Sequence, residues 1–457
     1  MSDRQNRYAA PETYITVGEQ LVLETADFLI ELGVLGEHPP GNSLAVPALV
    51  KATFIDLGVD PHKLKNEPLT VANRLWSDTG NQGDKRYQPL VDIFRQYVSS
   101  RPDMDATYKA QFWRIVWQSP LIDAEHPRYP TDYIEPYVWQ NAFRAQLEDR
   151  PSRDALSERF IAYHNQANEP RRYAGLKLAY MLRRFLFEDE HKAKNSQPTD
   201  QVEEESLVDG GTSAGLGIAQ MIENIPFLNV RFNSEDMHIN RYLENKLLGK
   251  LALDVCVGFD THPMIDDGSI AWVENCSYYD TELGDPKKRR QRHRIYRALK
   301  RLIHQSNSTE EESQFKVVYG DLLPDDTNKM DTLENVKNLT PDDKYSVAAA
   351  LTSIYEVGED DQQVALERLT DLARDMVFVQ DFAYRNPEDP SKLVFPGIYA
   401  TPYRAFVRQV SDSTKSWHEF GVWDSGRCRI FTPSAFLETI CRRQLIRSGH
   451  YPLAETD

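Results

Sequence analysis

Between Leu207 and Gly217 the chain reads LVDGGTSAGLG, and no other stretch restricts its fold as tightly. An apolar run ends in Asp209, glycines follow at 210, 211, 215 and 217, and apolar periodicity resumes at once. A strand that passes within a few residues into a helix needs glycine where φ turns positive or where a side chain would collide. The same glycines let the backbone approach a bound molecule, and the helix beyond offers free N–H groups with partial positive charge. Strand, glycine turn and helix in this order open a parallel α/β sheet, whose ligands bind at the C-terminal strand ends where the strand order reverses. The spacing is not the G-x-G-x-x-G of dinucleotide sites, and the GK[ST] of a P-loop is absent.

The texture downstream agrees. Apolar runs at 206–209, 251–259, 315–319, 345–351 and 376–379 alternate with helical patterns at 212–224, 287–304 and 364–374. Short buried strands between helices imply a mostly parallel sheet covered on both faces. The tail differs: 403–410, 418–422 and 427–431, the last behind a DSG turn, read as an antiparallel strand pair ending the sheet. The expected fold is α/β, a doubly wound, seven-stranded, mostly parallel Rossmann-type sheet over residues 206–457.

Upstream the pattern is helical. Val17, Leu21, Phe28, Leu32 and Leu35 repeat close to helical spacing, and helices are expected at 43–57, 89–98, 106–117, 133–147, 154–163 and 173–187. Trp76, Trp113, Trp117 and Trp139 fall in this half and read as core anchors. Residues 189–205, DEHKAKNSQPTDQVEEE, hold almost nothing to bury. The organisation expected is an all-helical domain over 1–190, a linker or mobile loop over 191–205, and the sheet domain beyond.

Three acidic residues end strands on what would be one edge of the sheet. Asp209 precedes the turn; Asp260 ends the second strand, where a carboxylate holds ribose hydroxyls in folds of this kind; Asp321 follows the third, with Leu322 beside it. Asp260 also reads as a surface acid and Asp321 as a solvated loop residue, and the turn as a purely structural one. Tyr355 and Glu356 end the fourth strand and Asp381 the fifth, the positions where a second substrate would sit; packing or a structural hydrogen bond explains them nearly as well. His262, beside Asp260, reads as a structural loop histidine or else as a base.

The net charge of −17 and pI near 5.2 repel duplex nucleic acid from the molecule as a whole. Residues 286–301, PKKRRQRHRIYRALKR, run against that charge. They read as a solvated outer helix with Ile295 and Leu299 facing the sheet, or as a local site for an anionic partner. Four cysteines without metal spacing, a polar N-terminus and no long apolar run lead to the expectation of a reduced, cytoplasmic protein with no bound metal and no membrane partner.

The segments VDGGTSAGLG (208–217), VGFDTHPMIDDGSIAW (257–272), RRQRHRIYRALKRL (289–302), VVYGDLL (317–323) and TSIYEV (352–357) together resemble class I S-adenosylmethionine-dependent methyltransferases. More narrowly they resemble a bacterial family of uncharacterised methyltransferase-like proteins that pairs a SAGL-type turn with Asp260, Pro263 and Trp272. The resemblance covers about 205–385. It implies S-adenosylmethionine as cofactor, with Asp209, Gly211, Thr212, Ser213 and Gly215 at its methionine end, Asp260 at the ribose, and Asp321 with Leu322 at the adenine. Tyr355, Glu356 and Asp381 would face a small-molecule or protein acceptor. Ser213 stands where the common turn has a middle glycine. No Asn-Pro-Pro-Tyr motif follows the fourth strand, which argues against exocyclic and amide nitrogens as acceptors. A catalytically silent binding or scaffold module of the same fold is the alternative.

Overall fold

The computed structural model describes residues 170–186, 205–227, 230–261, 286–308, 313–323, 332–340, 343–351, 357–396, 401–424 and 428–450, with isolated positions elsewhere. The helices expected before residue 170 and the linker over 191–204 lie outside the described residues, apart from scattered positions between 145 and 154. The chain divides into two compact units, Met1–Ala167 with Ala271–Arg289, and Asn168–Ile270 with Arg290–Asp457. The second carries the sheet.

In chain order its elements are α1 (Tyr173–Leu186), β1 (Ser206–Gly210), α2 (Leu216–Ile222), β2 (Arg231–Phe232), α3 (Met237–Leu248), β3 (Val255–Asp260), α4 (Pro286–Ser308), β4 (Phe315–Tyr319), α5 (Glu334–Lys337), β5 (Tyr345–Leu351), α6 (Glu359–Leu372), β6 (Ala373–Asp381), β7 (Tyr384–Arg385), β8 (Leu393–Val394), β9 (Arg404–Gln409), β10 (His418–Trp423), β11 (Ile430–Pro433) and α7 (Ala435–Arg447). The sheet order is β2-β11-β10-β9-β6-β5-β1-β3-β4. Within it β4, β3, β1, β5 and β6 run parallel. Counted along the chain, these five stand in the 3-2-1-4-5 order of a doubly wound fold, which reverses at β1 and β5. The fold is α/β and Rossmann-like.

The sheet has nine strands where seven were expected, and the excess lies on the side beyond β6. β9, β10 and β11 form an antiparallel meander on β6, and β2 joins β11 in parallel. β2, β7 and β8 are two residues each, too short to leave any alternation in the sequence. The central strand β5, YSVAAAL, is buried at every position, as a parallel strand covered on both faces must be.

One face packs Val208, Val257, Phe259, Ala348, Ala350, Val377 and Val379 against Ala365, Leu366, Leu369 and Leu372 of α6. That helix starts earlier than the apolar period indicated, because Glu359, Asp360 and Asp361 occupy its first turn, where carboxylates favour a helix N-terminus. α1, grouped with the N-terminal helices by its sequence pattern, belongs to the sheet unit and is buried along most of its length. Near its C-terminus Arg183 pairs with Glu205, and Arg184 Nη2 with Glu205 Oε1 at 2.7 Å, just before β1. The Tyr180 hydroxyl donates to Glu205 at 2.7 Å. Its other end reaches the opposite end of β1 through Tyr173. A helix held at both ends of β1 has little freedom to slide.

Candidate functional site

The turn after β1 is left-handed at every second residue: Gly211 at φ 75°, Ser213 at 60° and Gly215 at 74°. The helix begins at Leu216, four residues later than its pattern indicated. The turn is pulled onto the neighbouring strand. The N–H groups of Gly211 and Thr212 donate to the Phe259 carbonyl at 2.9 and 3.3 Å, and Gly215 donates to Thr212 at 3.0 Å. The Ser213 N–H donates to Asp260 Oδ2 at 2.8 Å.

Packing explains the glycines. A Cβ on Gly211 would lie 2.5 Å from Ser353 Cβ, on Gly215 2.7 Å from the Phe315 ring, and on Gly217 1.9 Å from the Tyr173 ring. Ser353 also donates to the Gly210 carbonyl at 3.3 Å. It therefore occupies the β5 side of the switch point.

Asp209 is buried, and the Tyr173 hydroxyl donates to its Oδ2 at 2.5 Å. Burial pushes the Asp209 carboxyl up to about 7. The Tyr173 donation opposes the rise, the Thr212 hydroxyl opposes it by proximity without an aligned hydrogen bond, and the Asp260 charge adds to it. Tyr173 is itself held well above the usual phenol range by burial and by Asp209. Three oxygens at this strand end and turn, Asp209 Oδ1, Thr212 Oγ1 and Ser213 Oγ, are buried with no hydrogen-bond partner among the described residues. Groups of this kind are rare in native structures, and each calls for a water or a ligand.

Asp260 and Asp321 stand close along the edge, since the Gly320 N–H donates to the Asp260 carbonyl at 3.1 Å. The Asp321 carboxylate accepts the Leu323 N–H at 2.8 Å and its own N–H donates to Thr332 at 3.1 Å. Leu322 lies in the core with Phe259, Leu333 and Val336. On the acceptor edge, Asp381 is fully buried at the end of β6 and accepts the Phe382 N–H at 2.7 Å. Tyr355, Glu356 and His262 lie outside the described residues.

The sequence reading missed Tyr173 and a second buried group. Gln380 on β6 accepts from Trp423 Nε1 at 2.9 Å and donates to the Arg172 carbonyl at 2.9 Å and the Tyr403 hydroxyl at 3.3 Å. One signal for Tyr173 was present: a glycine inside a helix, Gly217, costs about 1 kcal/mol against alanine and is repaid only by close packing.

Among the described residues no group of three His, Cys, Asp or Glu is placed to hold a metal ion, and no helix is long and apolar enough to cross a membrane.

No protein-family model matches the chain, and no curated protein matches it significantly. Among solved structures, the crystal structure of DszA carbon methyltransferase aligns over 80% of this chain and 70% of that chain, at 12% identity and a TM-score of 0.23. A likeness that slight carries no argument, so the fold rests on its own strand order and the site on its own geometry.

Proposed function

We propose that the chain binds S-adenosylmethionine at the C-terminal edge of β1, β3 and β4 and is a methyltransferase acting on a small molecule or a protein. The observation that carries this reading is the trio of buried, unpartnered oxygens in the turn after β1, at the position where doubly wound sheets bind their ligands. In this reading Asp209, Thr212 and Ser213 accept from the amino-acid end of the cofactor. Asp260, steadied through one oxygen by the Ser213 N–H, takes the ribose hydroxyls, and Asp321 on the adjacent strand takes the adenine edge. Gly211 and Gly215 shape the turn. The cofactor supplies an already activated methyl group, so the protein's part is to align donor and acceptor and exclude water. Tyr355, Glu356 and Asp381 are the acceptor-side residues of this proposal.

One observation favours a silent binding module instead. The turn spends its N–H groups at 211, 212 and 213 on β3 and that at 215 on itself, and the Asp381 carboxylate accepts the adjacent Phe382 N–H. Calorimetry separates the outcomes. Micromolar binding of S-adenosylmethionine and S-adenosylhomocysteine, weakened at least tenfold by Asp260→Asn, supports the cofactor site. The asparagine keeps an acceptor for the Ser213 N–H while losing the charge that two ribose hydroxyls favour, worth ~1.4 kcal/mol or more for tenfold. Binding without methyl transfer to any acceptor selects the silent module. No binding to the folded wild type rejects both.

A further inference from the structure

α4 has the composition of a different protein. Its sequence, PKKRRQRHRIYRALKRLIHQSNS, holds nine Lys and Arg and no acid, in a chain of net charge −17. From Arg290 onward the two faces separate cleanly. Ile295, Tyr296, Ala298, Leu299, Leu302 and Ile303 are buried. Arg290, Arg294, Arg297 and Arg301 are exposed, at steps of four, three and four residues, the spacing of a single helical stripe. Arg301 is tied to Glu223 beyond the C-terminus of α2. Among the described residues Arg290, Arg294 and Arg297 have no acidic partner. From Arg290 to Arg301 the stripe is about 17 Å long at 1.5 Å per residue.

We infer that this stripe is a docking face for the phosphate backbone of a single-stranded nucleic acid. Three features select that partner. The cations are guanidinium groups, whose planar forks match phosphate oxygens in pairs. No large apolar side chain is exposed on the described part of the helix. A membrane-binding helix would need such anchors, and so would the centre of a protein interface. Finally, the acidity of the rest of the molecule repels a duplex, whose charge extends on every side, but tolerates a strand that follows one helix face.

The test uses the full chain and a fluorescently labelled oligouridylate of about 12 nucleotides, read by anisotropy across a salt series. Three phosphate contacts predict a slope of log K against log salt near −2 for a single strand. Arg294→Ala with Arg297→Ala removes two exposed side chains from neither core nor cofactor site. The double variant is expected to bind at least tenfold more weakly at low salt and to flatten the slope by about 1.4, with an unchanged circular dichroism spectrum. Absence of binding by the wild type at low salt overturns the inference. So does binding that the double variant leaves intact, or a polyglutamate peptide or anionic vesicle that binds in place of the oligonucleotide.

Discussion

Replacing Asp209 with asparagine should stabilise the protein at pH 8 and leave it almost unchanged at pH 4. The wild-type carboxyl is buried, with one oxygen on Tyr173 and the other unpartnered, and it titrates near 7 in the fold against 3.8 when free. A carboxyl whose folded value is raised stabilises fully below the free value, and the contribution is lost as pH rises through the folded one. At roughly 1.4 kcal/mol per pH unit the gap amounts to ~4 kcal/mol by pH 8, and to about 1.5 kcal/mol at pH 5. Asparagine has no charge to desolvate and can still accept from the Tyr173 hydroxyl. Urea unfolding of both proteins at pH 4, 5, 6, 7 and 8 should therefore show a difference that grows from near zero to a few kcal/mol in favour of the variant. A difference that does not change with pH, or a variant less stable at pH 8, would refute the account of Asp209. A buried charge retained at such a cost is characteristic of functional sites.

Two further substitutions test the packing around the site. Gly217→Ala gains about 1 kcal/mol of helix propensity, yet its Cβ would stand 1.9 Å from the Tyr173 ring. Overpacking of that severity costs ~1–3 kcal/mol or more and should win, lowering the calorimetric Tm by several degrees; an unchanged or raised Tm would show that α1 yields freely. Trp423→Phe leaves Gln380 Oε1 buried without its donor, a loss of ~1–3 kcal/mol, and a double-mutant cycle with Gln380→Leu should show that the two losses are not additive.

How far the sequence disclosed all this depends on the range of each interaction. β1, β3, β4 and β5 were readable because each falls in a short apolar run between breakers, and Asp209, Asp260 and Asp321 because each stands at or just beyond the end of such a run. Ile295 and Leu299 face inward as their spacing indicated. The start of α2 was misplaced because Ser213 adopts a left-handed conformation that a polar residue does not advertise. Tyr173 and Gln380 were invisible for a different reason. Their partners lie 36 and 43 positions away in the chain, at Asp209 and Trp423, and no local pattern encodes a contact of that separation. The polar stretch at 189–205 suggested a boundary, but α1 lies before it and is bound to Glu205 and Asp209 on the far side. Low apolar content marks where a chain has little to bury, which is not the same as where one packed unit ends.

A crystal structure of the protein grown with millimolar S-adenosylhomocysteine tests the central claim most directly. The account predicts ligand density along the edge of β1, β3 and β4, with its amino-acid end within hydrogen-bond distance of Asp209 Oδ1 and Ser213 Oγ and its ribose on Asp260. Water alone on Asp209 Oδ1, Thr212 Oγ1 and Ser213 Oγ, or a ligand bound elsewhere, would contradict it.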